Sequence, residues 1–309
     1  SQRCCYSEGA EGAGGSGPGG AEGAGRQYIF GYHPHGIIPI ACQWTSLTSR
    51  WEAKFPGLRP AVLVSTIVHS VPIMRDVAQW NGGYEVSRKG FLNALEHRGS
   101  VLLVPGGQEE MIGSRSDSNR VPIVTSHKGF VRLALRTGSS LVPIYAFGET
   151  QTFDNIAAPA SWQRWCVKMF RANLICYPYG IAPMLPRPHK FTLAVGRPID
   201  VPEILEPSEE QVDYFHHEYF TALRALFEKY KARAGRPDDE LVLTPALGPR
   251  PAFPRAVSAP QGPSPAPGRS ASSAYPPPPP PSSARPRAAE GKAHGGREGL
   301  AFRGRRPIP

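Results

Sequence analysis

The residues best suited to chemistry in this sequence are His33 and His35, which are separated by a single proline. They follow an apolar run at 28–32, whose aromatic and β-branched residues predict a buried strand. An imidazole titrates near neutral pH and acts as a general base toward hydroxyl groups. One histidine in a turn is more often structural. Two at the end of one strand favour a catalytic site, because ligands bind beyond strand ends in α/β sheets.

A second group of polar residues follows the apolar run at 101–104, in the sequence VPGGQEEM. Gly106 and Gly107 allow backbone amides to approach a ligand closely, and Glu109 and Glu110 supply carboxylates beside them. On its own this pattern is typical of a solvated turn. If the strands at 28–32 and 101–104 are parallel, however, the loop and the two histidines share one end of the sheet. A base, a carboxylate to orient it and amides for an oxyanion are what acyl transfer to a hydroxyl requires.

Charged residues further along the chain are weaker candidates. Lys128, Arg132 and Arg136 are spaced four residues apart and therefore share one face of a predicted helix. That pattern is equally typical of a phosphate-binding surface and of a plain solvated face. Glu149 directly follows the apolar run at 141–147, where an orienting and a structural role are both open.

The elements that must position these residues alternate between strands and helices. Ser87 and Ser208 are N-cap residues that predict helix starts. The apolar stripe of the last helix, which includes Tyr219, is interpreted as core packing. We predict one α/β domain with a mixed, mostly parallel sheet and helices on both faces. The predicted strands are 28–32, 61–67, 101–104, 141–147 and 191–195, and the predicted helices are 40–47, 88–98, 126–138 and 208–235.

The composition divides the chain into three parts. Residues 1–26 are rich in glycine and residues 244–309 hold 17 of the 35 prolines, so both segments are predicted to be disordered. Residues 27–243 form the predicted folded domain. The tail has ten Lys or Arg and two Glu, so it carries +8 of the formal net charge of +10. The folded part is therefore close to neutral, and no nucleic-acid partner is predicted.

Cysteine content and hydropathy restrict the cellular setting. The five cysteines are odd in number and lack the spacing of metal ligands, which predicts neither a disulfide framework nor a zinc site and fits a cytosol-facing compartment. No run reaches the roughly 18–20 apolar residues that a spanning helix needs. The chain starts at Ser1 without a methionine. We therefore expect that this sequence lacks the true beginning of the protein. The absence of a membrane anchor from this sequence thus does not imply its absence from the full protein.

Several blocks of this sequence, in the same order, resemble the diacylglycerol acyltransferase type-2 family, which includes monoacylglycerol and wax-alcohol acyltransferases. The resemblance covers residues 27–243. It differs from the family in a Gly-rich run that replaces the membrane-inserted N-terminal hairpin, and in His127, where the family has arginine. The chain is more distantly similar to glycerolipid acyltransferases, although Ile38 occupies the position of their acidic residue. The blocks are YHPHG, FPGLRP, NGGYEVSRKG, VPGGQEEM, KGFVRLALRTGSSLVPIYAFGE and GRPIDVP.

The resemblance implies an acyl-CoA-dependent O-acyltransferase with a glycerolipid acyltransferase-like fold. Diacylglycerol, esterified to triacylglycerol, is the favoured acceptor, and monoacylglycerol or a wax alcohol is the alternative. Acyl-CoA is the co-substrate, and no cofactor or metal is implied. Direct transfer without an acyl-enzyme is expected, because no Ser or Cys lies within YHPHG or VPGGQEEM. The family location is the cytosolic face of the endoplasmic reticulum membrane and lipid droplets, so membrane association is expected.

The resemblance also implies roles for individual residues. His35 is the favoured general base, with His33 as the alternative, and Glu110 orients the base. Replacing His35 or Glu110 by alanine is expected to lower turnover with little effect on the fold, since both are predicted to lie on loops. The substrate-binding candidates are Gly106 and Gly107 at the acyl site, Lys128 and Arg132 at the phosphates of coenzyme A, and Glu149.

Two other functions fit the same residues. His33, His35 and Glu110 offer three metal ligands, which is the pattern of a metal-dependent hydrolase. Activity that survives a strong chelator would contradict that function. A protein that binds lipid without transferring an acyl group would need the same apolar groove, and acyl-chain binding without turnover would support it.

Overall fold

Strands and helices alternate along the chain in the computed structural model of the protein. The described residues are 4–7, 26–70, 74–155, 159–170, 173, 176–249, 251 and 253. The strands are β1 (Cys4–Ser7), β2 (Tyr28–His33), β3 (Ala61–Val64), β4 (Tyr84–Glu85), β5 (Ser100–Leu103), β6 (Arg120–Val124), β7 (Ser140–Phe147), β8 (Asp154–Asn155), β9 (Pro178–Tyr179), β10 (Thr192–Val195) and β11 (Glu240–Thr244). The α-helices are α1 (Ile40–Thr45), α2 (Ser49–Lys54), α3 (Thr66–Ser70), α4 (Met74–Trp80), α5 (Arg88–Arg98), α6 (Gly107–Gly113), α7 (Gly129–Thr137), α8 (Ala160–Phe170) and α9 (Glu209–Tyr230).

The main sheet has seven strands in the order β1-β10-β7-β2-β5-β3-β4. Neighbouring strands are parallel except for β10 and β7, so β1 and β10 run against the other five. The prediction of a mixed, mostly parallel sheet is therefore confirmed. β2 lies at the centre and pairs with β5 on one side and β7 on the other. The histidine motif thus extends from the middle of the sheet.

Helices cover both faces of the sheet, as predicted. On one face α5, α7 and α9 bury residues such as Phe91 and Tyr219 in a single core cluster. On the other face α1, α2 and α4 form a second cluster around Trp51. Successive side chains of a strand point to opposite faces. Ile29 accordingly packs in the first cluster and Phe30 in the second, where its ring centroid lies 5.6 Å from that of Trp51.

Capping residues set the ends of two helices as the sequence predicts. The Ser87 hydroxyl accepts the N–H of Gly90 at 3.1 Å, and α5 ends at Gly99 in the left-handed region with φ of 68°. Ser208 and Gln211 form a reciprocal capping box at the start of α9. That helix ends at Tyr230, earlier than the predicted 235.

Other boundaries differ from the prediction. Helix α7 begins at residue 129 instead of 126, because Thr125 is still bonded to the end of β11: its N–H donates to the Thr244 carbonyl at 2.9 Å and its hydroxyl to that of Pro245 at 2.6 Å. β3 ends at Val64, where a strand to residue 67 was predicted, and α3 follows it. The parallel pair β6 and β11 was not predicted.

The segments predicted to be disordered lie mostly outside the described residues. Residues 4–7, within the first of them, form β1, which pairs with β10. The remainder of residues 1–25 and the chain beyond residue 253 are not described, so their disorder stays a prediction. Across the described ranges, no helix is both long enough and apolar enough to span a bilayer.

Candidate active site

Three parallel strands end side by side at one edge of the sheet, and predicted site residues follow each of them. β2 ends with His33, β5 leads to Glu110, and β7 leads to Glu149. The pairing of β2 with both β5 and β7 is parallel, so the three strand ends share one edge. The predicted parallel arrangement of β2 and β5 is confirmed, and it brings the histidine motif and the Glu110 segment together.

Glu110 is a buried anchor for the histidine loop. The segment predicted as a loop is in fact helix α6, which begins directly after Gly106. Glu110 is only 1 % exposed. Its Oε2 accepts the backbone N–H of His35 at 2.9 Å, and its Oε1 accepts that of Val124 at 3.0 Å. One carboxylate therefore holds α6, β6 and the loop after β2 in register.

The two glycines before Glu110 have different roles in this geometry. A Cβ at Gly106 would lie 1.9 Å from the Cδ and Oε1 atoms of Glu110, so glycine leaves the space that the carboxylate fills. Gly107 has a φ of 53°, which favours glycine. Its N–H donates to the Val104 carbonyl at 3.3 Å. The expectation of two free amides for an oxyanion therefore holds at most for Gly106, and the lining of an acyl site by these glycines stays a prediction.

His33 is completely buried between α6 and α9. Its Nε2 lies 3.2 Å from the Tyr219 hydroxyl oxygen, and that hydroxyl donates to the Gly31 carbonyl at 3.0 Å. The single Tyr219 proton is used in the latter bond, so the Tyr219 oxygen can only accept from Nε2 of His33. Its Nδ1 lies 3.4 Å from Glu110 Oε1 and has no hydrogen-bond partner within the described ranges. An acceptor hydroxyl cannot reach this ring unless its neighbours move.

His35 is only partly buried and has one ring nitrogen committed. Its Nδ1 lies 3.0 Å from the Gly36 carbonyl oxygen. A carbonyl can only accept, so Nδ1 carries the proton and Nε2 of the neutral ring has a free lone pair. Desolvation lowers the pKa of His35, and the Gly36 carbonyl and the Glu110 carboxylate oppose this only in part. The direction of this shift favours the neutral form of the His35 ring at pH 7, and its role as the base stays a prediction.

Glu149 supports the same loop from the opposite face of β2. It is fully buried and accepts hydrogen bonds from the Tyr32 hydroxyl and, at 3.5 Å, from the N–H of Ala41 at the start of α1. A Cβ at Gly36 would lie 3.2 Å from its Cγ. Burial raises the pKa of Glu149 to about 8, although these hydrogen bonds oppose the shift. Of the two roles left open by the sequence, these contacts favour the structural one.

The raised pKa of Glu149 predicts a pH dependence of stability. Its folded-state pKa of about 8 lies above the ordinary value of 4.5, so the folded protein retains a proton that the unfolded chain releases. Stability should fall as the pH rises from about 5 to about 8 and change no further from this group above that. We expect Glu149→Gln to lack this decline. Urea unfolding midpoints of both proteins at several pH values measure it, and parallel curves would contradict it.

The predicted coenzyme A ligands are paired with acids on α9. Lys128 forms an ion pair with Asp213, and Arg132 Nη2 lies 2.7 Å from Glu209 Oε1. Both pairs are partly exposed, so a phosphate would have to replace a carboxylate to bind either cation. Their role in binding coenzyme A stays a prediction.

Tyr219 is a site residue that the sequence analysis missed, because its spacing in α9 matches an ordinary core stripe. The signal that marks it is Gly31, a glycine in the middle of a buried strand. A Cβ at Gly31 would lie 1.9 Å from the Tyr219 hydroxyl oxygen. Glycine within a strand often marks such a close approach.

The two imidazoles do not converge as metal ligands. His33 Nε2 lies against Tyr219, and His35 Nδ1 lies against the Gly36 carbonyl. In the described part of the chain, no three His, Cys, Asp or Glu residues are grouped so as to hold a metal ion. The metal-dependent hydrolase therefore has no ligand set among these residues.

Comparison with known proteins places this geometry in a family. Residues 23–244 match the family model described as diacylglycerol acyltransferase. The chain belongs to the diacylglycerol acyltransferase family. The resemblance read from the sequence blocks is thus confirmed, and it places the histidine motif, Glu110 and Glu149 inside the matched region.

Relatives within the family have related activities in their names. Human diacylglycerol O-acyltransferase 2 is 34% identical over 238 residues, which are 70% of this chain and 60% of that protein. The Dictyostelium discoideum diacylglycerol O-acyltransferase 2 is 35% identical over 224 residues, 67% of this chain and 66% of that protein. Human 2-acylglycerol O-acyltransferase 3 is 37% identical over 228 residues, 69% of this chain and 67% of that protein. The chain thus spans between 60% and 67% of the length of these relatives.

A solved structure also aligns with the chain. It is the 1-acyl-sn-glycerophosphate acyltransferase PlsC from Thermotoga maritima, with a TM-score of 0.40 and 17% identity. The alignment covers 74% of this chain and 73% of that one.

Proposed function

We infer that this chain is an acyl-CoA-dependent O-acyltransferase that esterifies the free hydroxyl of diacylglycerol to form triacylglycerol. Family membership supports the reaction class. The observation that carries the mechanism is the state of His35: its Nδ1–H is bonded to the Gly36 carbonyl, and its Nε2 is left as a base at a strand end. Glu110 holds the backbone of the same residue in place.

The reaction that this geometry supports is a direct displacement. The acceptor hydroxyl oxygen attacks the thioester carbonyl carbon of acyl-CoA while its proton passes to Nε2 of His35. The new C–O ester bond forms, the C–S bond breaks, and the electron pair of that bond leaves on the coenzyme A sulfur. His35 then gives its proton to the thiolate, which returns the imidazole to its starting state. A base with a lowered pKa suits this cycle, because it is unprotonated at neutral pH.

Glu110 acts in this mechanism as a positioning residue. Its carboxylate fixes the backbone of the catalytic histidine and faces Nδ1 of His33 at 3.4 Å. His33 in turn is held by Tyr219. The loop therefore has little freedom, which keeps His35 Nε2 in one place relative to the bound thioester.

Monoacylglycerol is the second acceptor candidate. It is favoured by the 37% identity to a protein named 2-acylglycerol O-acyltransferase, which is as close as the relatives named for diacylglycerol. Both acceptors offer a hydroxyl on a glycerol backbone, so the same base serves either. Lipid substrates of this kind reside in membranes, and we propose the cytosolic face of the endoplasmic reticulum and lipid droplets as the location.

The test is an assay of the purified full chain in detergent with radiolabelled acyl-CoA. Diacylglycerol, 2-monoacylglycerol and a long-chain alcohol are offered separately, with and without a strong chelator, and the lipid products are separated by chromatography. We expect labelled triacylglycerol from diacylglycerol, unaffected by the chelator. Release of labelled fatty acid without any ester product, or retention of acyl chains without turnover, would contradict an acyltransferase.

A further inference from the structure

Helix α8 exposes a stripe of large apolar residues. Trp162, Trp165 and Met169 are 66%, 59% and 60% exposed. Their spacing of three and four residues places them on one side of the helix, while Gln163 and Cys166 are buried on its inner side. Two exposed tryptophans on one short helix form an apolar patch of the kind that marks an interaction site.

The two-stranded sheet of β8 and β9 is linked to α8 and is followed by further exposed apolar residues. Ile181 and Met184, in the turn that follows β9, are exposed. The Asn155 side chain joins the two elements, because its amide donates to Gln163 of α8 at 2.7 Å and its oxygen accepts the N–H of Tyr177 at 3.1 Å. The exposed apolar side chains of α8 and of the turn after β9 are called the docking face below.

The charge of α8 identifies the partner. The helix carries two exposed basic residues, Arg164 and Lys168, and no acidic residue. Tryptophan concentrates at the boundary between headgroups and acyl chains, and basic residues beside it are attracted to anionic headgroups. A helix with this combination lies in the plane of a bilayer surface.

Helix α6 connects the docking face to the candidate active site. The Gln108 side-chain oxygen accepts the N–H of Asn173, which follows α8, at 2.6 Å. Glu109 Oε2 lies 3.8 Å from Arg164 Nε. The next residue, Glu110, holds the histidine loop. Gln108 and Glu109 of α6 thus contact α8 or the chain just after it, and Glu110, the next residue, contacts the histidine loop.

We propose that the docking face binds the surface of a phospholipid bilayer that contains anionic lipid, and so sets the active site against the membrane from which it takes its acceptor. The proposal rests on the proposed function for the identity of that acceptor. The binding itself depends only on the docking face and on the positive charge of α8.

The test uses the full chain and vesicles of phosphatidylcholine with phosphatidylserine. The α8 variant is Trp162→Gln with Met169→Gln, and a second variant, Ile181→Gln with Met184→Gln, alters the turn after β9 instead. The matched control is Leu205→Gln. Leu205 is 75% exposed, and its carbonyl accepts a hydrogen bond from Arg136 at the end of α7. Because α7 leads into the start of β7, Leu205 lies at the edge of the sheet opposite to the strand ends that carry the candidate active site.

Flotation with vesicles, with thermal unfolding as a check of the fold, gives the outcomes. We expect the α8 variant to bind vesicles at least about tenfold more weakly than wild type. The variant with Ile181→Gln and Met184→Gln should also bind more weakly, and Leu205→Gln should bind as wild type does. Equal flotation of wild type and the α8 variant would overturn the proposal. A second result would also overturn it: the wild-type protein does not float but forms a dimer in sedimentation, and the α8 variant does not. The docking face would then bind a second copy of the chain.

Transfer by the wild-type protein to a short-chain diacylglycerol in detergent is measured alongside, because it needs no membrane. Normal transfer with vesicle binding that is indifferent to the α8 variant means that the docking proposal fails and the proposed function stands. Vesicle binding that depends on α8, without transfer in any assay, means the reverse.

Discussion

Replacing His35 by alanine is expected to lower the rate of triacylglycerol formation by about 10²–10⁴-fold while the fold is retained. The variant removes Nε2 of His35, which belongs to a partly exposed ring, whereas the ring of His33 is fully buried. The fold should be retained because His35 is partly exposed and its ring is bonded to the carbonyl of the adjacent Gly36. Its loss therefore removes less packing than the loss of the buried His33 ring would. Initial rates in detergent, with urea unfolding of the same preparations, measure both effects.

The control for this prediction is His97→Ala. His97 lies on α5, and its Nδ1 is bonded to the Asn93 carbonyl at 2.8 Å. The His97→Ala variant therefore loses the same kind of local hydrogen bond at a position away from the site. Its rate should equal that of wild type. A full rate for His35→Ala together with a lost rate for a folded His33→Asn would show that His33 is the base instead.

The pH profile supplies an independent readout of the same base. Desolvation lowers the pKa of His35 below its ordinary value of 6.5, so the ring is protonated only in more acidic solution. The rate should therefore be independent of this group at pH 7 and fall as the pH drops below about 6.5. A rate that begins to fall above pH 7 on acidification would be inconsistent with His35 as the base.

Replacing Glu110 by alanine should reduce both stability and turnover. The variant deletes the acceptor of two backbone N–H groups, those of His35 and Val124. Each donor left unpaired in a partly buried position costs about 1–3 kcal/mol, so we expect a loss of about 2–6 kcal/mol in the free energy of unfolding. This replaces the expectation from sequence that the fold would hardly change, which assumed that Glu110 lies on a loop.

The matched control is Glu109→Ala, one residue earlier on the same helix. Glu109 is exposed and makes only a long ion pair of 3.8 Å, so its loss should cost less than about 1 kcal/mol. Glu110→Gln should fall between the two, because the amide oxygen accepts one of the N–H groups and the NH₂ opposes the other. Unchanged urea unfolding for Glu110→Ala would refute the anchoring role.

Much of the candidate site was predictable because local sequence places it directly after strands. The apolar runs at 28–32, 101–104 and 141–147 predict three strands, and all three are present with their ends at one edge. The helix at VPGGQEEM was mispredicted, because two glycines and a proline resemble a turn. Its first turn is stabilised by contacts with the histidine loop and β6, which no local pattern encodes.

By itself the sequence determined the α/β class, the caps of α5 and α9, the family, and which histidines and carboxylates lie at strand ends, since all of these depend on neighbours within a few residues or on whole motifs. Only the tertiary structure decided which imidazole is enclosed. The alternation of β2 turns His33 toward Tyr219, 186 residues away, and Tyr32 toward Glu149, 117 residues away. The physical reason is that burial, tautomer and pKa depend on groups brought together through space, and spacing along the chain does not specify them.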